Sequence, residues 1–218
     1  MNVHPFVQSV AALRFPNCFN PYVDRCEVHD QVDAPALRAS ALSLMIEAAA
    51  AQSVDAIWIG RDLGYRGGRR TGLALTDDLH VRRHAERWAI SAQRATVGTP
   101  VAERTAAVIW DILDAIQSKV FLWNVFPLHP HEADDPFSNR QHNANERRAG
   151  EEILSMLIEL LQPARVVAIG NDAAAVALRV CGGRPAIGVR HPSYGGQRDF
   201  LRQIGDLYAV HPSQKALF

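Results

Sequence analysis

Three residues in this chain could act together on one ligand: Asp62, Asn124 and His191. Each follows a short apolar run that reads as a buried strand. Val54 to Gly60 empties into Arg61-Asp62, Lys119 to Trp123 into Asn124, and Pro185 to Val189 into Arg190-His191-Pro192-Ser193. Open α/β sheets bind ligands outside the carboxyl ends of their strands, so three such strand ends point to one crevice. A carboxylate placed there can orient water or stabilise positive charge that develops during a reaction. A side-chain amide offers a donor and an acceptor together, which suits the edge of a nucleobase. Each residue also has an ordinary structural reading when taken alone. Asp62 could cap the next turn, Asn124 could terminate a strand, and His191 could be packed into the core.

The segments between these residues narrow the chemistry. Gly60, Gly64, Gly67, Gly68 and Gly72 make a glycine-rich loop without the Gly-Lys-Ser/Thr end of a P-loop. Nothing after it resembles a dinucleotide fingerprint. The glycines would instead let backbone approach a ligand closely, or leave a flexible surface loop. Arg61, Arg66, Arg69, Arg70, Arg82, Arg83, Arg87 and Arg94 crowd one stretch, against only Asp62, Asp77, Asp78 and Glu86 as acids. Arginine forks suit phosphate, and a local basic patch is the usual footprint of a nucleic-acid backbone binder. Arginine is also this chain's default surface cation, because Lys119 and Lys215 are its only lysines. The net charge of zero gives no global case for a nucleic-acid partner.

Cys18, Cys26 and Cys181 are too few and too widely spaced for a disulfide framework or a four-thiolate cluster. A reducing, cytoplasmic setting is expected on that ground. A zinc site from Cys18, Cys26 and His29 has unconvincing spacing, and His129-x-His131 lacks a carboxylate or third histidine to complete a metal set. Met-Asn-Val-His-Pro at the start has neither the charge nor the apolar core of a signal peptide, and the Ala-rich run near 48–51 is too short to span a bilayer.

The elements that must position these residues follow from periodicity. Helices are predicted over 3–15, 34–52 with Asp33 as N-cap, 80–93, 100–117, 144–161, from 171 through Val180, and 197–207. Strands are predicted at 54–59, 119–123, 166–169 and 185–190. Segments 16–32, 60–79 and 125–143 read as irregular, and Pro212 onward as a tail. Alternating strands and helices imply a three-layer α/β/α domain over 1–218, with a central, mostly parallel sheet of about four strands.

Four segments in order carry a resemblance: Gly-Arg-Asp through Thr-Gly-Leu-Ala-Leu-Thr (60–76), Leu-Trp-Asn-Val-Phe-Pro-Leu-His-Pro (122–130), Val-Val-Ala-Ile-Gly-Asn-Asp-Ala-Ala (166–174) and His-Pro-Ser (191–193). Over about residues 54–204 the chain resembles the uracil-DNA glycosylase superfamily. The resemblance implies that Asp62 activates water or stabilises the sugar cation, that Asn124 reads the base edge, and that His191 hydrogen-bonds the leaving base. It implies a substrate pocket built by Gly60, Gly64, Tyr65, Leu75 and Asn124. Phosphate contacts are expected from Arg66, Arg69, Arg70, Ser193, Gly195 and Arg198.

Three positions depart from the family pattern. Gly64 stands where one branch has a tyrosine that excludes the thymine methyl group, with Tyr65 one place later. Leu75 replaces a base-stacking phenylalanine, and Gly195 replaces a leucine that wedges into the duplex. The expectation is a monomeric, metal-free glycosylase without cofactor, acting on uracil and other deaminated or damaged bases flipped out of DNA. A silent damaged-DNA-binding protein and another nucleoside or nucleotide hydrolase stand as alternatives.

Overall fold

The structure, a computed structural model, describes residues 3–210, so the tail expected from Pro212 lies outside the described residues. Helix α1 (Pro5–Ala11) is shorter than the predicted 3–15, because His4 caps it with Nδ1 accepting from the Phe6 N–H. Strand β1 (Cys18–Phe19) lies in chain predicted to be irregular. Helix α2 (Ala34–Ala50) carries Pro35 in its first turn, but Asp33 makes no side-chain cap hydrogen bond. Strand β2 (Ala56–Gly60) leads into the glycine-rich loop, which contains one helical turn, α3 (Gly68–Thr71), closed by Gly72 at φ +69°.

Helix α4 (Val81–Arg87) stops well short of the predicted 93. Arg87 at its end donates to the carbonyls of Leu113, Ile116 and Ser118, and Ala89 turns to φ +54°. Helix α5 (Arg104–Leu113) and strand β3 (Val120–Asn124) follow. Strand β4 (His129–Pro130), inside the predicted loop 125–143, pairs antiparallel with β1. The chain then runs through α6 (Ala144–Leu161), β5 (Arg165–Ile169), α7 (Asn171–Val180), β6 (Ala186–Val189) and α8 (Gln197–Tyr208).

The main sheet has the order β3-β2-β5-β6, and every pair in it is parallel. Side chains alternate between its two faces. Ile57, Ile59, Phe121, Trp123, Val166 and Ala168 join the core under α1, α2, α6 and α7. Trp58, Val120, Leu122, Val167, Ile169 and Val189 join the opposite core under α5 and α8. Both faces are thus covered, which is why the strand sequences read as nearly continuous apolar runs.

The connection from β2 leads to one side of the sheet and that from β5 to the other. The reversal opens a crevice at the carboxyl ends of β2 and β5, where such sheets take ligands. Register fixes what lines it: Gly60 lies opposite Asn124, and Ile169 opposite Val189, two residues before His191.

Candidate active site

Asn124 ends β3 with its side chain lying across Gly60. A Cβ at position 60 would stand 2.5 Å from Asn124 Oδ1 and 3.0 Å from Leu75 Cδ2, so only glycine leaves the amide its place. Asn124 is 1 % exposed, yet neither its Nδ2 nor its Oδ1 has a hydrogen-bond partner. Leu63, Ala74, Trp123, Pro127 and Tyr22 line the space around it. Burying an amide without partners costs roughly 1–3 kcal/mol by mutational measures. Leu75 faces the same spot, held at φ +54° with its carbonyl accepting from Trp110 Nε1 at 3.1 Å.

Asp62 is bound on both oxygens. Arg61 Nε donates to Oδ2 at 2.7 Å, and His142 Nδ1 makes a short hydrogen bond to Oδ1. Because a carboxylate only accepts, the proton of that bond sits on His142 Nδ1. Arg61 also reaches Asp172 at 3.6 Å, spanning the crevice between the loops after β2 and β5. His142 is a site residue that sequence reasoning missed. It is buried, directly precedes the α6 N-cap, and is held there by a capping box between Asn143 and Glu146. Arg140 locks Glu146 in turn, with guanidinium–carboxylate hydrogen bonds at 2.7 and 2.8 Å. No local signal marks His142, since its partner lies 80 residues away in the chain.

His191 packs its Cβ 3.3 Å from the Cβ point of Gly170, a residue at φ +91° that starts α7. Its Nδ1 accepts the Ser193 N–H at 3.1 Å, which places the proton of the neutral ring on Nε2. Burial, then the charges of Arg61 and Arg190, lowers the imidazole pKa below its ordinary value. A neutral Nε2–H donor is the result. Ser193 Oγ in turn lies 3.2 Å from Thr105 Oγ1, tying this loop to the start of α5.

The structure therefore packs Asn124 and Leu75 against Gly60 at the ends of β2 and β3, and sets Arg61 beside Asp62 and Asp172, with its charge acting on His191. Gly64 is half-buried nearby, but Tyr65 does not fill the space beside it. Its N–H goes to Asn139 Oδ1 at 3.0 Å, and its hydroxyl accepts from Arg66 Nε at 2.9 Å. The carboxyl of Glu103 occupies that space instead. Burial, followed by the charge of Asp77, raises it to about 7.

The arginine-rich stretch needs correction. Arg69 and Arg70, expected on phosphates, are 4 % and 7 % exposed. Arg69 stacks 3.8 Å from the Phe19 ring centroid and meets His129 Nδ1 at 3.2 Å, while Arg70 pairs with buried Asp78 at 2.8 Å. Arg82 pairs with Glu86, Arg83 with Asp114, and Arg94 binds the Gly98 carbonyl. Arg66 and Arg198 remain exposed, as does Gly195 at φ +76°. Beside Gly195, Tyr194 is 99 % exposed at φ +55°, a lone aromatic on the loop that carries His191.

Among the described residues, no group of three or more His, Cys, Asp or Glu side chains could hold a metal ion. No described helix is long and apolar enough to cross a membrane.

None of the curated proteins compared matches this chain. Among solved structures, the crystal structure of wild-type SMUG2 from Pedobacter heparinus is similar in fold. It shows 12 % identity and a TM-score of 0.57, covering 93 % of this chain and 94 % of that one. The family model described as "Uracil DNA glycosylase superfamily" matches residues 57–214, a span that begins in β2 and takes in Asp62, Asn124 and His191. With most of the chain matched and its strand ends converging on one crevice, this protein belongs to the uracil DNA glycosylase superfamily.

Proposed function

We propose that this chain is a DNA glycosylase that hydrolyses the N-glycosidic bond of uracil, and of other deaminated bases, flipped out of DNA. The observation that carries the reading is the Asn124 amide, buried and unpartnered on both polar atoms at the carboxyl end of β3. An amide kept in that state at a cost in stability is matched to a ligand edge that offers one acceptor and one donor. A pyrimidine or deaminated purine edge does so.

The chemistry follows from the charges that the reaction creates. As the C1′–N bond breaks, its electron pair goes to the base and positive charge develops on the sugar. His191, neutral with its proton on Nε2, donates a hydrogen bond to the oxygen of the departing base. In this reading the Asp62 carboxylate stabilises that positive charge and orients the water whose oxygen bonds to C1′; one proton of that water ends on the released base. His142 holds the carboxylate in place, as a buried hydrogen-bond donor does for a catalytic group.

Base flipping costs a few kcal/mol that backbone contacts must offset. Arg66, Arg198 and the backbone at Ser193 and Gly195, exposed or half-exposed, are proposed to contact phosphate. Tyr194, 99 % exposed on the loop that carries His191, is proposed to stack on an exposed base.

The test is release of base from single- and double-stranded oligonucleotides carrying uracil, hypoxanthine or xanthine, read by alkali cleavage at the abasic site. Wild-type protein is expected to release uracil, and Asp62→Asn and His191→Gln to lose at least about 100-fold in single-turnover rate. Wild-type protein that binds these oligonucleotides but releases no base would overturn the reading in favour of a silent damage-binding protein.

A further inference from the structure

Arg61 is the first residue after β2, and the two edges of its guanidinium are held very differently. Nε donates to Asp62 Oδ2 at 2.7 Å, and the Asp62 side chain is only 6 % exposed. On the outer edge, Nη1 stands 3.6 Å from Asp172 Oδ2, too far for a hydrogen bond. Both members of that pair are open to solvent, Arg61 at 42 % and Asp172 at 51 %. An ion pair of this kind contributes little to stability, so another anion can replace the carboxylate with little loss. Asp172 lies in the first turn of α7, a ten-residue helix whose N-terminus has no side-chain cap hydrogen bond, so first-turn N–H groups add donors at the same end of the helix. The charge of Arg61 also acts on His191. One half-exposed guanidinium thus holds Asp62 firmly and Asp172 loosely, within electrostatic reach of His191.

Resting on the reading of DNA as the substrate, we propose that Arg61 is a phosphate-binding and positioning residue. On DNA binding its outer nitrogens leave Asp172 for a backbone phosphate, while Nε keeps Asp62 in place. The planar guanidinium presents paired donors that match phosphate oxygens, a geometry the Asp172 carboxylate does not reach. In the free protein Asp172 holds the place of the phosphate. The exchange ties grip on the DNA strand to the orientation of the Asp62 carboxylate.

The test is a double-mutant cycle on DNA affinity, read by fluorescence anisotropy with a duplex carrying a tetrahydrofuran abasic analogue, which has no base to release. Asp172→Asn removes the competing carboxylate and should tighten binding about two- to fivefold, the range an exposed ion pair is worth. In the Arg61→Gln background the same substitution should leave affinity nearly unchanged. Arg61→Gln alone should reduce the slope of log affinity against log salt by nearly 1. The inference falls if Asp172→Asn tightens binding equally in both backgrounds, which would be a general effect of charge. It also falls if Asp172→Asn brings no tightening, or if Arg61→Gln keeps the salt slope, which would confine Arg61 to bracing Asp62. Uracil release from a matching duplex is measured on the same wild-type preparation. Wild-type protein that binds the duplexes but releases no base overturns the glycosylase reading alone, and the cycle still decides the role of Arg61. Wild-type protein that binds no DNA overturns both.

Discussion

Replacing Asn124 by leucine should make the protein more stable and much less active. Leucine has the branching of asparagine, with methyl groups in place of the amide oxygen and nitrogen. The site is 1 % exposed, and the amide atoms have no partners to lose. Its surroundings include Leu63, Ala74, Trp123 and Pro127, against which methyl groups pack favourably. Removing the unsatisfied polar groups should return about 1–3 kcal/mol. For a chain of this length each kcal/mol raises Tm by roughly 2–4 °C. Base release should fall by about 100-fold, from two lost hydrogen bonds of about 1.4 kcal/mol each. Differential scanning calorimetry and single-turnover release of uracil read the two effects on one preparation. A variant that melts lower than wild type would show that the amide supports the fold. A variant that still releases uracil at the wild-type rate would refute its role as base reader.

Two further outcomes follow from the charges. Arg66→Ala with Arg198→Ala should reduce the slope of log affinity for DNA against log salt by nearly 2, read by fluorescence anisotropy. Arg70→Met should leave that slope unchanged but cost about 3–5 kcal/mol in urea unfolding, because Asp78 keeps its buried charge without its partner. Acidification should destabilise the protein through three buried histidines. Burial is the leading cause that lowers His29 to about 4, and His84 and His129 to about 3. Each stays neutral in the native state while the unfolded chain takes up a proton below the ordinary pKa of 6.5. Stability is therefore present above that value and lost as pH falls, by about 2 kcal/mol per histidine between pH 7 and pH 5. Unfolding free energies that stay flat between pH 7 and pH 5 would contradict this account.

The strand ends were legible in the sequence because a strand buried on both faces leaves a continuous apolar run, and the run's end marks where the next polar residue enters the crevice. That reasoning located Asp62, Asn124 and His191 without any knowledge of their neighbours, and the alternation of elements implied the parallel sheet. The same logic cannot see a two-residue pairing such as β1 with β4, which has no periodicity to detect. Nor can it see how a charge is spent. Arg69 and Arg70 read as phosphate binders in the chain, but Phe19, His129 and Asp78 come to them from other segments and bury them. His142 meets Asp62 across 80 residues, and Glu103 enters the space beside Gly64 from the start of a different helix. Local pattern records what each residue prefers. Only tertiary packing decides which preferences are satisfied inside the protein, and which, like those of the Asn124 amide, are left without a partner.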